Sequence, residues 1–279
     1  MSREKTTRSS FSISPFRLFV GLYLAAFTIL VMEGHRDDAL RTFRYSLMFA
    51  ALAFVTSRVA RGIKDVPRPG RHLWAQLATC GAAIAATGLV SVRLGSEDDT
   101  YHEVVGSVYS SGCWQFAVEV CAVYFVLRCL GLSGPDLGLR RWVSGGTMVA
   151  LLWIVTAFGF LSVDMMDGMP APDEAARQIF QNVFRNGFSE EFLFRGVLLS
   201  RLRLILTDEW ALFVQALLFG IWHYGADVRV AEGNTLVTAC FMITVQAVFG
   251  YALGYLTLRT RSIAIGSAFH AVADATSII

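Results

Sequence analysis

The hydrophobic positions of this chain form long apolar runs, and short polar or charged stretches separate them. A helix that crosses a bilayer needs about 20 predominantly apolar residues. The pattern therefore predicts an all-α, multi-pass transmembrane helical bundle with eight or nine spans, since the shortest runs are close to the lower limit. The predicted spans lie near residues 16–32, 45–60, 74–93, 111–130, 145–163, 176–204, 210–226, 235–258 and 262–279.

The charges between these runs support the predicted order of crossings. Lys and Arg are enriched in cytoplasmic loops, and every second connection of this chain is basic, whereas the alternate ones, such as "GSEDDTYHE" at 95–103, are acidic or mixed. This alternation places the N-terminus in the cytoplasm. Nine spans would place the C-terminus outside, and eight would not. The basic connections contain Arg58, Arg61, Lys64, Arg68 and Arg71, then Arg140 and Arg141, then Arg201 and Arg203, then Arg259 and Arg261.

The composition agrees with an integral protein of the cell membrane. Of the 279 residues, 54% are hydrophobic and only 16% are charged, against about 25% charged residues in soluble domains. A net charge of +2 is too small to indicate nucleic-acid binding. The five cysteines include no CxxC pair, so neither a zinc ribbon nor a disulfide framework is indicated. We predict that they are buried packing residues and that the lipid bilayer is a partner of the protein.

A stretch rich in Gly, Ser and Pro marks the best candidate for a boundary along the chain. It is "GLSGPDLGLRRW", residues 131–142. Before it the apolar runs contain almost no ionisable side chains, with Glu119 as the exception, and after it such side chains cluster. We therefore predict N-terminal transmembrane helices over 1–143, a connecting transmembrane helix and loop over 144–174, and a functional segment over 175–276.

Three apolar stretches of the functional segment contain ionisable residues, and the first is "EEFLFR". An ionisable residue inside a span costs a few kcal/mol or more, so it is a functional candidate by default. Glu191 and Arg195 are four residues apart on one helix face and can pair. Glu190 is rotated by about 100° from Glu191 in an α-helix. One glutamate is therefore predicted to be structural and the other free to act.

The other two stretches, "FGIWH" and "HAVAD", carry the remaining candidates. His270 and Asp274 are four residues apart, and His223 lies on another run. Two chemistries fit a site that joins them to Glu190. In one, Glu190 is a general base that takes a proton from water. In the other, Glu190, His223 and His270 hold a metal ion that activates the water. Both hydrolyse an acyl bond, and the spacing does not choose between them.

These stretches resemble, in the same order, the EExxxR, FxxxH and HxxxN/D motifs of the CPBP family, which comprises the type II CAAX prenyl proteases and the bacterial Abi-type intramembrane proteases. The resemblance covers roughly residues 175–276, which would be a CPBP/CAAX-protease-like catalytic domain. It implies a helical membrane fold and hydrolysis of a peptide bond within or at the membrane. It also implies that the Glu191–Arg195 pair braces the helix.

The resemblance assigns a role to each remaining motif residue. Glu190 would activate water and His223 would assist it, while His270 and the residue four positions later would form the oxyanion hole. The prenyl proteases have Asn at that last position, whereas this chain has Asp274, as part of the wider family does. A carboxylate cannot donate to an oxyanion unless it is protonated. Asp274 could instead fix the tautomer of His270 or serve a metal.

Taken together, the residues and the resemblance predict an intramembrane endopeptidase that cleaves a membrane-associated peptide or protein near its membrane-anchored segment. We expect no cofactor, because Glu190 as base, His223 positioning the water and His270 facing the oxyanion give each residue a task without metal; zinc is the alternative. A proton-coupled membrane transporter is a second possibility, but it predicts inverted repeats, and we find none. A catalytically idle immunity or scaffold member of the family is a third, against which the intact motif residues argue.

Overall fold

The computed structural model describes residues 14–60, 72–94, 113–166 and 171–276. Within these ranges the chain is helical with connecting turns, and it contains no strand. The helices are α1 Pro15–Met32; α2 Arg36–Val59; α3 Leu73–Leu94; α4 Cys113–Gln115 with the π-helical Phe116–Ala122 and then Val123–Cys129; α5 Gly146–Met166; α6 Pro172–Asn182 with the π-helical Val183–Gly187; α7 the π-helical Glu191–Leu199 with Ser200–Leu202; α8 Asp208–Trp222; α9 Tyr224–Val230; α10 Thr235–Phe241 with the π-helical Met242–Ala247 and then Val248–Thr260; and α11 Ala264–Ala273.

The number of helices able to cross a membrane is smaller than the pattern of apolar runs predicts. In the described ranges four helices are long and apolar enough by length and composition: α1, α3, α5 and α10. Helices α8 and α9 make a fifth if they count as one span bent by 56°. The expected spans near 45–60, 111–130, 176–204 and 262–279 are not among them. The all-helical class is therefore confirmed, whereas eight or nine spans is not.

Two of the connections that support the predicted orientation lie mostly or wholly outside the described ranges. Residues 61–71 and the acidic stretch 95–103 are both in this position. One of the remaining basic residues differs from the prediction: Arg201 is fully buried, and its Nη1 lies 3.1 Å from Oε1 of Gln76. It therefore belongs to the helix packing and not to a solvated loop.

Aromatic packing fixes helix α11 against the centre of the bundle. Phe269 is fully buried, and its ring packs edge-on against Trp153 of α5 with centroids 5.0 Å apart. The same ring also contacts Phe49 of α2 and Phe249 of α10. Because these contacts hold Phe269 on three sides, they also fix the direction in which the next residue, His270, projects.

Two glycines of α10 bring that helix close to α8. A Cβ atom added at Gly250 would lie 3.2 Å from Cβ of Phe219, and one added at Gly254 would lie 2.6 Å from Oε1 of Gln215. The GxxxG spacing therefore serves close packing inside the protein. It also sets the position of Phe219 beside the candidate site.

The cysteines only partly follow the expectation that they are buried. Cys80 and Cys240 are buried free thiols, as predicted. Cys121 and Cys129 are also free thiols, but they are exposed on the surface of α4. The prediction was wrong for these two because a small apolar residue is equally compatible with a helix face that points away from the protein. The side chain of Cys113 is not among those described.

Candidate active site

The two adjacent glutamates lie where helix α7 begins, in a closely packed part of the bundle. Every side chain of the π-helical segment Glu191–Leu199 is buried. Glu190 directly precedes this segment and is only 3% exposed. A π-helix closes its turns with hydrogen bonds between residues five apart, so this turn is wider than the α-helical turn that the spacing predicted. Such segments are frequent at functional sites.

Glu191 contacts two buried partners at once. Its Oε1 atom lies 3.0 Å from Nη1 of Arg195 and 3.0 Å from Nδ1 of His270. The contact with Arg195 is an ion pair whose alignment falls short of a hydrogen bond. The guanidinium of Arg195 also lies over the ring of Phe219, 4.1 Å from its centroid. The carboxylate and the aromatic face together offset the cost of burying the positive charge.

The carboxylate of Glu190 faces the two histidines. Its Oε2 atom lies 3.7 Å from Nε2 of His223 and 3.8 Å from Nε2 of His270. This buried oxygen has no hydrogen-bond partner among the described protein atoms. The separations are too long for direct hydrogen bonds, and they suit contacts that one water molecule bridges. The structure thus brings the three predicted side chains together around one small space.

His223 occupies the bend between helices α8 and α9. Its Nδ1 atom lies 2.8 Å from the carbonyl oxygen of Phe219. Because a carbonyl can only accept, Nδ1 must carry the hydrogen, and Nε2 of the neutral ring is then an acceptor. That acceptor faces Glu190. The phenylalanine of the FxxxH motif thus fixes the histidine through its backbone and supports Arg195 through its ring.

His270 projects from helix α11 between three carboxylates. Its Nδ1 atom contacts Glu191, and its Nε2 atom lies 3.8 Å from Oε2 of Glu190 and 3.5 Å from Oδ1 of Asp274. The expected proximity of His270 and Asp274 is therefore present, but the shorter contact is with Glu191. Glu191, rather than Asp274, orients the ring of His270.

Asp274 has a partner that the sequence did not indicate. The side-chain amide of Asn186, in the π-helical end of α6, donates a hydrogen bond to Oδ2 of Asp274. One signal was available: Asn186 precedes Glu190 by four residues, which placed it within about one turn of the glutamate. Its meeting with α11 depends on tertiary packing and could not be anticipated from spacing.

The segment that contains these site residues matches a known protein family. A family model described as type II CAAX prenyl endopeptidase Rce1-like matches residues 172–276. This segment belongs to the CPBP/CAAX protease family. The CPBP segment contains Glu190, His223, His270 and Asp274, and also Asn186. No curated protein and no solved structure gives a significant match to the chain.

The match of residues 172–276 to the CPBP family, together with the candidate spans, indicates the class of the molecule. The family is one of proteases, and the described chain has four or five helices suited to crossing a bilayer. These findings support a multi-pass membrane protein with a segment similar to a hydrolase family, and a membrane protease acts on membrane-associated proteins or peptides.

The CPBP segment does not present the ligand set of a metal site. In the described ranges, no three His, Cys, Asp or Glu side chains are arranged to hold one metal ion. Glu190, His223 and His270, the set named for zinc, face one another but do not meet this requirement as they are placed. The chemical roles of these residues stay predictions.

Proposed function

We propose that this protein is an intramembrane endopeptidase in which Glu190 activates water for attack on a peptide bond near the membrane-anchored segment of a substrate. The observation that carries the proposal is the buried, unpartnered Oε2 of Glu190, which faces the Nε2 atoms of His223 and His270. A buried carboxylate without a cation of its own is costly. A carboxylate held beside two oriented imidazole rings is the arrangement that a general base requires.

The proposed reaction follows from the direction of each group. A water held between Glu190 and His223 gives a proton to the Glu190 carboxylate while its oxygen bonds to the scissile carbonyl carbon. The resulting tetrahedral intermediate carries a negative oxygen, which needs hydrogen-bond donors. When the carbon–nitrogen bond breaks, the proton held by Glu190 passes to the departing amine. Glu191 holds His270 in position throughout.

The proposed location is the cell membrane, with the N-terminus in the cytoplasm. The alternation of basic and acidic connections along the sequence supports this orientation. The site lies in a helical bundle with several membrane-spanning candidates, so a substrate anchored in the same bilayer would reach it without leaving the membrane.

The test compares the cleaved protein termini in membranes of cells that carry the native protein or the Glu190→Gln variant. This substitution keeps the shape of the side chain and removes the base. Glu209→Gln is the matched control, because Glu209 is exposed at the start of α8. We expect at least one membrane-associated terminus to disappear with Glu190→Gln and to persist with Glu209→Gln. Identical termini in all three samples, at equal amounts of protein, would instead support the transporter or the idle scaffold.

A further inference from the structure

The contact between Asn186 and Asp274 fixes an amide next to the candidate site. A carboxylate only accepts hydrogen bonds, so the nitrogen of the Asn186 side chain must be the atom that faces Asp274. The orientation of this amide therefore follows from its partner. A carboxamide has two N–H groups, and Oδ2 of Asp274 takes one of them.

Close helix packing holds Asn186 in this place. A Cβ atom at Gly187 would lie 2.7 Å from the carbonyl oxygen of Ser267 and 2.8 Å from Cβ of Ala271, so glycine allows the end of α6 to lie directly on α11. One turn earlier, Asn182 donates to the carbonyl oxygen of Ala271 at 3.4 Å. Two asparagines and a glycine thus attach the same stretch of α6 to α11.

Hydrolysis at this site needs N–H donors for the negative oxygen of the intermediate. The N–H of His223 is directed to the carbonyl of Phe219, and the Nδ1 side of His270 is directed to Glu191. In their neutral forms both rings therefore present only an acceptor, Nε2, to the site.

The two remaining charged groups have other partners. The guanidinium of Arg195 forms an ion pair with Glu191 and lies over the ring of Phe219, although its nitrogens make no hydrogen bond to a described atom. Asp274 is a carboxylate and offers acceptors. Among the side chains described above, the Asn186 amide is the neutral N–H donor in contact with Asp274.

We propose that Asn186 is a further catalytic residue, whose second N–H donates to the oxyanion, and that Asp274 is a positioning residue that holds the amide by accepting the first. The assignment rests on the proposed function, since it requires a tetrahedral intermediate. It explains how a site with an acid at position 274 can stabilise an oxyanion: the amide comes from a neighbouring helix and the acid orients it.

The experiment is a double-mutant cycle on the purified protein, with a peptide spanning a cleavage site found by comparing termini. Asn186→Ala is measured in the native background and in the Asp274→Asn background, with kcat, KM and the melting temperature of each variant. Loss of one oxyanion donor typically lowers kcat by about 10²–10³-fold. We expect a loss of this size in the native background with little change in KM. In the Asp274→Asn background we expect less than a tenfold loss, because the introduced amide can donate instead.

Asn182→Ala is the matched control, since it removes an amide that bonds α6 to the backbone of α11 without reaching Asp274. We expect it to leave kcat per folded molecule unchanged.

Equal losses from Asn186→Ala in both backgrounds would overturn the proposal, because a second amide does not replace a contact that only holds two helices together. If Asn186→Ala does not fold, Asn186→Asp keeps the shape and removes the N–H, and full kcat in that variant would also overturn it. A Glu190→Gln protein that still cleaves would refute the proposed function, whereas an inactive one beside a fully active Asn186→Ala would refute this inference alone.

Discussion

At the scale of single residues, the two adjacent glutamates differ in their partners. Glu191 lies between Arg195 and His270, so it neutralises a buried cation and fixes a catalytic candidate. Oε2 of Glu190 has no hydrogen-bond partner in the described protein. Replacing Glu191 with alanine therefore leaves the buried charge of Arg195 without its carboxylate, whereas replacing Glu190 with glutamine leaves no buried charge unpaired.

We predict that Glu191→Ala and Arg195→Ala each reduce the amount of folded protein in the membrane. Breaking a buried ion pair from one side costs about 3–5 kcal/mol in soluble proteins. Glu190→Gln should keep nearly normal abundance and lose cleavage. Quantitative immunoblots of membrane fractions, together with melting curves in detergent, measure the difference. Equal losses of abundance in all three variants would contradict the assigned roles.

The sequence predicted the members of this site better than their connections. The i,i+4 spacing correctly indicated the Glu191–Arg195 pair, and the motifs correctly predicted that Glu190 and His270 lie in one site. The Glu191–His270 contact was missed because the spacing of His270 and Asp274 on one helix suggested a local partner. Contacts between α7 and α11 depend on how the helices pack, which spacing along one helix cannot reveal.

At the scale of helices, glycines at two contact points allow α11 to lie against the glutamates. A Cβ atom at Gly266 would lie 3.0 Å from Oε2 of Glu191, and one at Gly187 would meet the backbone of α11. Backbone cannot move aside as a flexible side chain can. The approach of these helices therefore depends on residues without a side chain.

We predict that Gly187→Ala lowers the melting temperature of the purified protein and its activity, because the added methyl group pushes α6 away from α11. Gly81→Ala is the control: Gly81 lies in α3 with no neighbouring atom within 4 Å of an added Cβ, and alanine favours a helix. Melting curves in detergent compare the two variants. A Gly187→Ala protein as stable as the Gly81→Ala protein would show that this contact does not position α11.

The helix breaks were the least predictable elements. Residues 176–204 form one apolar run in the sequence, yet the structure divides them between α6 and α7 with a turn at Phe188. Hydropathy detects burial in protein or lipid but does not distinguish a continuous span from a broken one. The irregular backbone is compatible with a membrane location because it is packed inside the protein.

At the scale of the whole molecule, orientation and the number of crossings stay predictions, as does the division of the chain at residues 143 and 174. Reporter fusions test the orientation. We predict that alkaline phosphatase, which is active outside the cytoplasm, is active when fused within 95–103 and inactive when fused within 61–71. A fluorescent protein that folds only in the cytoplasm should give the opposite result. Activity of the phosphatase at both positions would contradict the predicted spans.

The measurement that tests the proposed water-activating glutamate most directly is the cleavage rate of the purified protein in a metal-free detergent solution. The substrate is the peptide that depends on Glu190 in cells, and the protein is assayed before and after treatment with a strong chelator, with its bound metal quantified. We predict an unchanged rate in the metal-free sample, because Glu190 then activates the water without a metal ion. A rate lost with the chelator and restored by zinc, with near-stoichiometric metal in the untreated protein, would contradict a glutamate-based mechanism.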